Sequence, residues 1–298
     1  MNGVKCLVNR SRWLPFVFLF PALLFLLFVY IPILQNIVLS FFQWSTFEPQ
    51  KAFIGFGNYI QLFQDPVFFQ ALKNNALYAA VSIVFQVGGG LITAAILEDR
   101  LLRRSSPFFR TVFFLPVVIS MTVIALLFDF IYNPDTGLLN QFLQAVGLDQ
   151  WTRAWLGDRE TAMLSVIFVS QWQSVGYIAM LYIVAIQKIP SELYEAAILD
   201  GAGKVRTFFA ITVPGTKEMS FVAVVMTLTG AFTVFNEPYI LTGGGPGNAS
   251  EVLSTFLYKA AFSKDMMGYA SAIATVILLI TLSLSIIQMR LFKTGKGD

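Results

Sequence analysis

The sequence predicts an all-α integral membrane protein with six transmembrane helices. Apolar residues make up 56% of the chain and charged residues only 12%, whereas an ordinary soluble domain is roughly a quarter charged. The mean hydropathy of +0.70 agrees with this class. Backbone groups in lipid must be hydrogen-bonded internally, and the apolar runs lack the alternation of barrel strands. The runs are therefore predicted to be helices.

Six apolar stretches are long enough to cross a hydrocarbon core about 30 Å thick, which takes about 20 helical residues. They are residues 14–42, 76–97, 111–131, 162–186, 220–241 and 269–289. The first is longer than one straight crossing needs, so we expect it to tilt or to extend beyond the membrane. Its length also exceeds the apolar core of a signal peptide. We expect these spans to form a single transmembrane domain over residues 1–298.

Lysine and arginine residues predict the orientation of the chain. If the N-terminus is cytoplasmic, the inner segments carry 14 of these residues and the outer loops carry 6. Cytoplasmic loops normally hold the excess of Lys and Arg. The chain is therefore predicted to cross the membrane several times with both termini in the cytoplasm.

The composition excludes several kinds of chemistry. The chain has no histidine and one cysteine, Cys6, so nucleophiles activated by histidine and the common metal-ligand spacings are absent from the sequence. Residues 201–204 (GAGK) resemble the end of a phosphate-binding loop, but Ile198 and Val205 replace the glycine and the hydroxyl residue that such a loop needs. We expect no ATP site, no metal site and no bound cofactor. The net charge of +3 is small, so nucleic acid is not an expected partner.

The predicted inner loop 187–219, between the fourth and fifth spans, contains two short helical patterns. Leu193, Ala196, Ala197 and Ile198 form an apolar face, and Gly201 permits a sharp turn before a second segment. Such an element is too polar to cross the membrane and too apolar to be fully solvated. We expect it to lie on the membrane surface or in a groove of a partner protein.

Polar side chains inside the spans are costly in lipid, so they indicate a cavity or a contact between helices. The only formal charges there are Asp129 and Glu237, both near the predicted outer interface, where a solvated carboxylate is an equally good interpretation. Amide and hydroxyl groups beside an aromatic ring suit a sugar. The alternative is that they hydrogen-bond between helices. The candidate solute-pathway residues are Gln173, Tyr177, Thr233, Asn236 and Glu237.

Three motifs resemble the permeases of binding-protein-dependent ABC importers, in particular the branch that imports sugars. Residues 195–202 read EAAILDGA and resemble the EAA loop of that family. Residues 53–59 (FIGFGNY) and 241–247 (LTGGGPG) are similar to its first external loop and to its signature after the fifth span. The resemblance covers nearly the whole chain.

The resemblance implies a function, a site and a set of partners. The chain would pass a sugar or oligosaccharide through a bacterial inner membrane by alternating access, with the solute delivered by an extracellular or periplasmic binding protein. A second similar permease and two ATPase subunits, which bind ATP and magnesium, would complete the assembly. The residues expected to contact the ATPases are Glu195, Ala196, Ala197, Asp200 and Gly201. Those expected to contact the binding protein are Gly243, Gly244, Gly245 and Pro246.

Other hypotheses remain at this point. The solute of such an importer could be a polyol or glycerol phosphate rather than a sugar. An ion-coupled secondary carrier would require buried carboxylates near the membrane midplane and usually a longer, repeated bundle. An intramembrane enzyme would require a catalytic constellation, and the sequence has neither histidine nor a midplane pair of acids.

Overall fold

The structure is a computed structural model that describes residues 14–48, 50–99, 102 and 104–294. The described residues are mainly helical, with one short pair of strands. They divide into two compact units. The first contains the residues up to Gln64 together with Lys259–Val276, and the second contains Asp65–Tyr258 and the residues from Ile277 onward.

The first unit begins with the predicted first span. Helix α1, a π-helical turn and helix α2 form one continuous apolar helix, which ends at Leu39 rather than at residue 42. After this helix the chain enters strand β1, which pairs antiparallel with β2 so that Phe42 lies opposite Phe53. The elements in this part are α1 Leu14–Phe25, the π turn Leu26–Tyr30, α2 Ile31–Leu39, β1 Phe42–Gln43, β2 Ala52–Phe53 and α3 Gly57–Gln64.

The second unit contains most of the remaining helices. The predicted second span begins ten residues early, at Pro66 rather than residue 76, and runs to Leu97. The fourth span has the predicted bounds. In order the elements are α4 Pro66–Ser82, a π turn Ile83–Gly88, α5 Gly89–Leu97, α6 Ser106–Val118, α7 Met121–Tyr132, α8 Leu138–Ala145, a 3-10 turn Asp149–Trp151 and α9 Ala162–Ile186.

The rest of the chain starts with the predicted inner loop. The elements are α10 Ser191–Leu199, α11 Lys204–Thr207, a π turn Phe208–Thr212, α12 Val213–Gly215, α13 Lys217–Thr233, α14 Asn236–Thr242, α15 Leu253–Tyr258, a π turn Lys259–Ser263 and α16 Met267–Thr294. Helix α16 is the predicted sixth span, extended by a few residues at both ends.

The predicted third span, 111–131, is wrong as a single straight helix. Helices α6 and α7 meet at 99°, because the backbone at Ile119 and Ser120 is extended. Pro116 removes one helical N–H, and the residues that follow it, Val117 to Ile119, are β-branched and weak helix formers. The sequence at this position therefore favours a break over a continuous helix.

The predicted fifth span, 220–241, is also broken. Helix α13 ends at Thr233, and α14 begins at Asn236 after an extended Val234. A continuous helix would bring the ring of Pro238 against the carbonyl of Val234, four residues earlier. The break removes this clash.

The number of crossings depends on how the bent segments are counted. In the described part of the chain, four helices are long and apolar enough to cross a membrane. The number rises to six if each of two bent pairs is one span, the second pair being Lys204–Gly215 with Lys217–Thr233 at 73°. Six crossings and a single domain over the whole chain stay predictions.

Helix α9 lies at the centre of the second unit and packs closely on α5 and α6. A Cβ atom on Gly90 of α5 would lie 2.9 Å from Cγ2 of Ile178. A Cβ atom on Gly176 of α9 would overlap the carbonyl oxygen of Phe113 in α6. Glycine at these two positions therefore permits the close approach of the helices.

Replacing Gly176 with alanine should destabilise the protein, because the added methyl group has no room beside the Phe113 carbonyl. We expect the free energy of unfolding to fall by about 1–3 kcal/mol, as is usual for overpacking. The measurement is denaturation of the purified variant followed by tryptophan fluorescence. Gly89→Ala is the matched control, since its methyl group would meet only Val175 at 3.9 Å. Equal stability of the two variants would contradict the packing described above.

Candidate functional site

A cavity of about 330 Å³ lies in the second unit, between the helix Pro66–Leu97 and helices α9, α13 and α14. Much of its lining consists of hydroxyl, amide and aromatic side chains. These are Tyr78, Ser82, Gln86, Ser170, Ser174, Tyr177, Thr227, Thr233, Phe235, Asn236 and Glu237. Helices with polar side chains in lipid need such a shared interior, because these groups are costly against acyl chains.

The structure brings four of the five predicted pathway residues to this cavity. Tyr177, Thr233, Asn236 and Glu237 line it. Gln173 does not: its Nε2 atom donates a hydrogen bond of 3.4 Å to the carbonyl of Ile119, at the break between α6 and α7. The amide of Gln173 thus contacts the backbone of a neighbouring helix in this structure. Whether any of the five residues contacts a solute stays a prediction.

The break after α13 shapes the cavity wall. Because α13 ends at Thr233, Asn236 and Glu237 leave the path of that helix and begin α14 at the cavity. Asn75 holds this end, since its Nδ2 atom donates to the carbonyl of Ala231 at 2.6 Å. Its Oδ1 atom accepts a hydrogen bond of 2.8 Å from the backbone N–H of Leu253.

Glu237 is the one carboxylate among the described residues that line the cavity, and no lysine or arginine is among them. The hydroxyl of Tyr78 lies 3.4 Å from Oε1 of Glu237 and is also hydrogen-bonded to the hydroxyl of Ser170. The carboxylate is therefore attached to two helices through a tyrosine that is 4% exposed. The cavity offers one acidic group and several neutral polar groups.

The contribution of the helix Pro66–Leu97 was missed by the sequence reasoning. Its polar residues recur every four positions, which places successive members near one another on the helix surface. They are Gln70, Asn74, Tyr78, Ser82 and Gln86. The last three line the cavity. This spacing is a signal that could have indicated the cavity wall from the sequence.

Side chains from other parts of the second unit hydrogen-bond to backbone carbonyls of the loop after α14. Asn74 Nδ2 donates to the carbonyls of Ala249 and Glu251, each at 2.8 Å. Arg159 Nη2 donates to the carbonyl of Gly247 at 3.1 Å. Three glycines of the loop adopt positive φ angles of 54–82°, a region that favours glycine. The predicted contact residues 243–246 therefore lie in an anchored loop, but no contact with a partner is tested.

The predicted coupling residues lie on the segment 191–209, which we call the coupling segment. Glu195, Ala196 and Asp200 are exposed and Ala197 is half-buried. Gly201 has a φ of +73°, which separates α10 from α11 by a turn that residues with a Cβ atom rarely adopt.

Large apolar side chains are exposed on both parts of this segment. Leu199 is 88% exposed and Val205 is 72% exposed. Leu193, Ile198 and Phe209 are each at least half exposed. Contiguous exposed apolar side chains of this kind mark a surface for a protein or a membrane.

Comparisons with known proteins agree over nearly the whole chain. Residues 86–293 match the family described as "Binding-protein-dependent transport system inner membrane component". The "Probable ABC transporter permease protein YurN" of Bacillus subtilis (strain 168) is 79% identical over 292 residues, which cover 98% of this chain and 100% of that protein. The "Diacetylchitobiose uptake system permease protein NgcF" of Streptomyces coelicolor is 37% identical over 290 residues, 93% of this chain and 82% of that protein. The "Lactose transport system permease protein LacF" of Rhizobium radiobacter is 33% identical over 291 residues, 96% and 95% of the two chains.

A solved structure has the same fold. It is the crystal structure of a bacterial ABC transporter involved in the import of the acidic polysaccharide alginate. One of its chains matches with a TM-score of 0.83 and 25% identity, over 95% of this chain and 96% of that chain. A second crystal structure, of a bacterial alginate ABC transporter with an alginate pentasaccharide-bound periplasmic protein, matches with the same TM-score at 24% identity and covers 96% of both chains.

Replacing Asn74 with aspartate should loosen the loop after α14, because a carboxylate cannot donate hydrogen bonds to the carbonyls of Ala249 and Glu251. Loss of a buried donor costs roughly 1–3 kcal/mol. We expect faster amide hydrogen exchange over residues 243–253, measured by mass spectrometry. Gln50→Glu, the same chemical change at an exposed site, is the control and should leave this exchange unaltered. Unchanged exchange in Asn74→Asp would show that other contacts hold the loop.

Proposed function

The chain belongs to the family of binding-protein-dependent transport system inner membrane components, and on that premise we propose that it passes a sugar or oligosaccharide across the membrane by alternating access. It is a multi-pass inner membrane protein and a permease of the ABC transporter class. The observation that carries the proposal for this chain is the polar cavity beside Glu237. Relatives whose names specify diacetylchitobiose, lactose and arabinooligosaccharides support a sugar as the solute.

The cavity has the chemistry that a sugar requires. Gln86 and Asn236 supply amide donors and acceptors, and Tyr177 and Phe235 supply ring faces for the C–H groups of a sugar ring. Thr227, which is only 6% exposed, is one of the lining residues, and its hydroxyl oxygen is buried and has no hydrogen-bond partner in the described part of the chain. A buried hydroxyl normally has a partner. A hydroxyl of the solute would provide one after the cavity wall moves to expose this oxygen during alternating access.

Energy for transport would come from partner subunits. The sequence contains no phosphate-binding loop, so ATP and magnesium are proposed to bind to two ATPase subunits, with no cofactor on this chain. The exposed coupling segment is the surface proposed for them. Its contact residues would be Glu195, Ala196, Ala197, Asp200 and Gly201.

The remaining partners are proposed from the same family. A second permease would complete the pathway, and a solute-binding protein would contact the loop Gly243–Pro246. A periplasmic protein is present in the alginate transporter structure, which supports the latter. The excess of Lys and Arg in the predicted inner segments supports cytoplasmic termini, and the coupling segment would then lie on the side where ATP is available.

Of the two alternative solutes, a polyol and glycerol phosphate, the second is disfavoured for this subunit. A phosphate is usually held by arginine, lysine or helix N-termini. The described lining of the cavity has no lysine or arginine, and the helix N-terminus at the cavity, that of α14, carries the carboxylate of Glu237 in its first turn. A neutral polyol remains compatible with the same groups.

Co-purification tests the assembly. A tagged chain drawn from its native membrane should bring down ATPase subunits and a second permease, identified by mass spectrometry. Gly201→Ala should reduce ATPase recovery, because alanine at a φ of +73° is strained by about 1–2 kcal/mol. Glu195→Ala should reduce it by removing a charged contact.

Gly203→Ala is the matched control for Gly201→Ala. Neither glycine would place a Cβ atom within 4 Å of a neighbour, but Gly203 has a φ of −70°, which alanine adopts readily. Recovery of the ATPases with Gly203→Ala but not with Gly201→Ala supports the proposal. A wild-type chain that purifies alone, in a detergent that preserves known importers, refutes it.

Thr227→Val tests the cavity as a solute site. The substitution keeps the shape of the side chain and removes a hydroxyl that has no partner in the described fold, so stability should be unchanged or higher. Uptake should nevertheless fall by roughly 2–10-fold if that hydroxyl binds solute. The assay follows uptake of the radiolabelled sugar identified on the captured binding protein.

The control for this variant is Thr281→Val. The hydroxyl of Thr281 donates to the carbonyl of Ile277 in its own helix, at 3.0 Å, so its loss should not affect uptake. Uptake by Thr227→Val equal to that of wild type would exclude this hydroxyl from the solute site.

A further inference from the structure

An ion pair joins the coupling segment to the end of the helix Pro66–Leu97. Nζ of Lys204 lies 2.7 Å from Oδ2 of Asp99. Asp99 stands two residues beyond the last residue of that helix, and Lys204 is the first residue of α11. The pair therefore connects two elements that are about a hundred positions apart in the sequence.

The acidic residue next to Asp99 extends this junction. Glu98 forms an ion pair with Arg110 of α6. It also accepts a hydrogen bond of 3.2 Å from Nε2 of Gln187, at the end of α9. The carboxylates of Glu98 and Asp99 thus contact residues of α6, of the end of α9 and of α11 at one end of the helix Pro66–Leu97.

The other parts of the same helix contact the loop and the cavity described above. Asn74 donates to the carbonyls of Ala249 and Glu251, and Tyr78, Ser82 and Gln86 line the cavity. The helix has 32 residues and a length of about 48 Å at 1.5 Å per residue. One helix therefore contacts the anchored loop, the cavity and, through Asp99, the coupling segment.

The turn before Lys204 is closed by its own backbone hydrogen bonds, since the N–H of Ala202 donates to the carbonyl of Ala197 at 2.9 Å. A Cβ atom added at Gly201 or Gly203 would have no heavy atom within 4 Å, so this turn is not packed against other elements at those two positions. An ion pair that is partly exposed contributes little stability, typically below about 1 kcal/mol. Its effect here is on position, because it links the first residue of α11 to the end of the helix Pro66–Leu97, while Phe208, just after α11, packs on the apolar cluster that includes Leu97.

We propose that the Asp99–Lys204 ion pair is a positioning contact that transmits movement of the coupling segment to the helix Pro66–Leu97, and so to the cavity. The proposal rests on the proposed function, in which ATPase subunits bind the coupling segment. Lys204 acts through Asp99 and not on the solute. Without the pair, the complex assembles and hydrolyses ATP, but hydrolysis no longer responds fully to the binding protein.

The test is a charge exchange in the complete importer, reconstituted in lipid nanodiscs. The readout is the ATPase rate with and without the binding protein purified together with its bound solute. Asp99→Lys and Lys204→Asp should each lower the stimulation by roughly 3–10-fold, a usual size for altered coupling. The double variant Asp99→Lys/Lys204→Asp should recover most of it, because the pair re-forms with its charges exchanged.

Three further variants separate the pair from a general effect of charge. Arg104→Asp replaces a positive side chain with a negative one, as Lys204→Asp does, but at an exposed residue of a neighbouring turn. It should keep wild-type stimulation. Asp99→Lys/Arg104→Asp should stay as low as Asp99→Lys. Asp99→Asn keeps the size of the side chain and removes the ion pair without introducing a positive charge, so it should also lower stimulation.

The outcomes distinguish this inference from the proposed function. If wild type assembles and is stimulated but the single variants and Asp99→Asn match it, the positioning role is wrong and the proposed function stands. If the double variant is no better than the single ones, the two residues do not act as a pair. If wild type captures no ATPase at all, the proposed function fails and the positioning role fails with it.

Discussion

A backbone group that leaves its helix inside a hydrocarbon layer finds no water to replace the lost partner. Two of the apolar helices in this chain are broken, and in each case an amide side chain from a neighbouring helix contacts a carbonyl near the break. Gln173 donates to the carbonyl of Ile119 between α6 and α7, and Asn75 donates to the carbonyl of Ala231 near the end of α13. Each amide therefore supplies a donor to one carbonyl near a break, where the helix no longer provides one.

The same breaks provide the space that a transport function needs. A straight fifth helix would continue past Thr233 and keep Asn236 and Glu237 on its own surface. Because the helix stops and restarts, both residues turn toward the polar side chains of the helix Pro66–Leu97. The stability of the fold and the polarity of the cavity therefore have a common origin.

The apolar segments could be located from the sequence because hydropathy is a sum over about 20 residues and tolerates local exceptions. The bounds 162–186 agree with the structure at both ends. The breaks are local events that this sum does not detect, although the clash of Pro238 with the carbonyl of Val234 was a usable signal. Spacing along one helix does not reveal which neighbour each face meets, so the contact of Gln173 with Ile119 could not be predicted from the sequence. The roles of Glu195 and the loop 243–246 depend on other chains, so neither the sequence nor the fold of this chain alone determines them.

The polar surface of helix α9 also bears on how the chain enters the membrane during synthesis. Its middle carries Ser170, Gln171 and Gln173, which make it a poor candidate for insertion as an isolated helix. The helix Pro66–Leu97 precedes it in the chain and supplies partners for two of these residues, since Gln171 donates to Ser82 at 3.0 Å and Ser170 is hydrogen-bonded to Tyr78. We expect the earlier helix to remain beside the insertion machinery until α9 emerges, so that the two enter the lipid as a pair. The order in which the two helices are synthesised would then allow their polar side chains to pair before either helix enters the lipid.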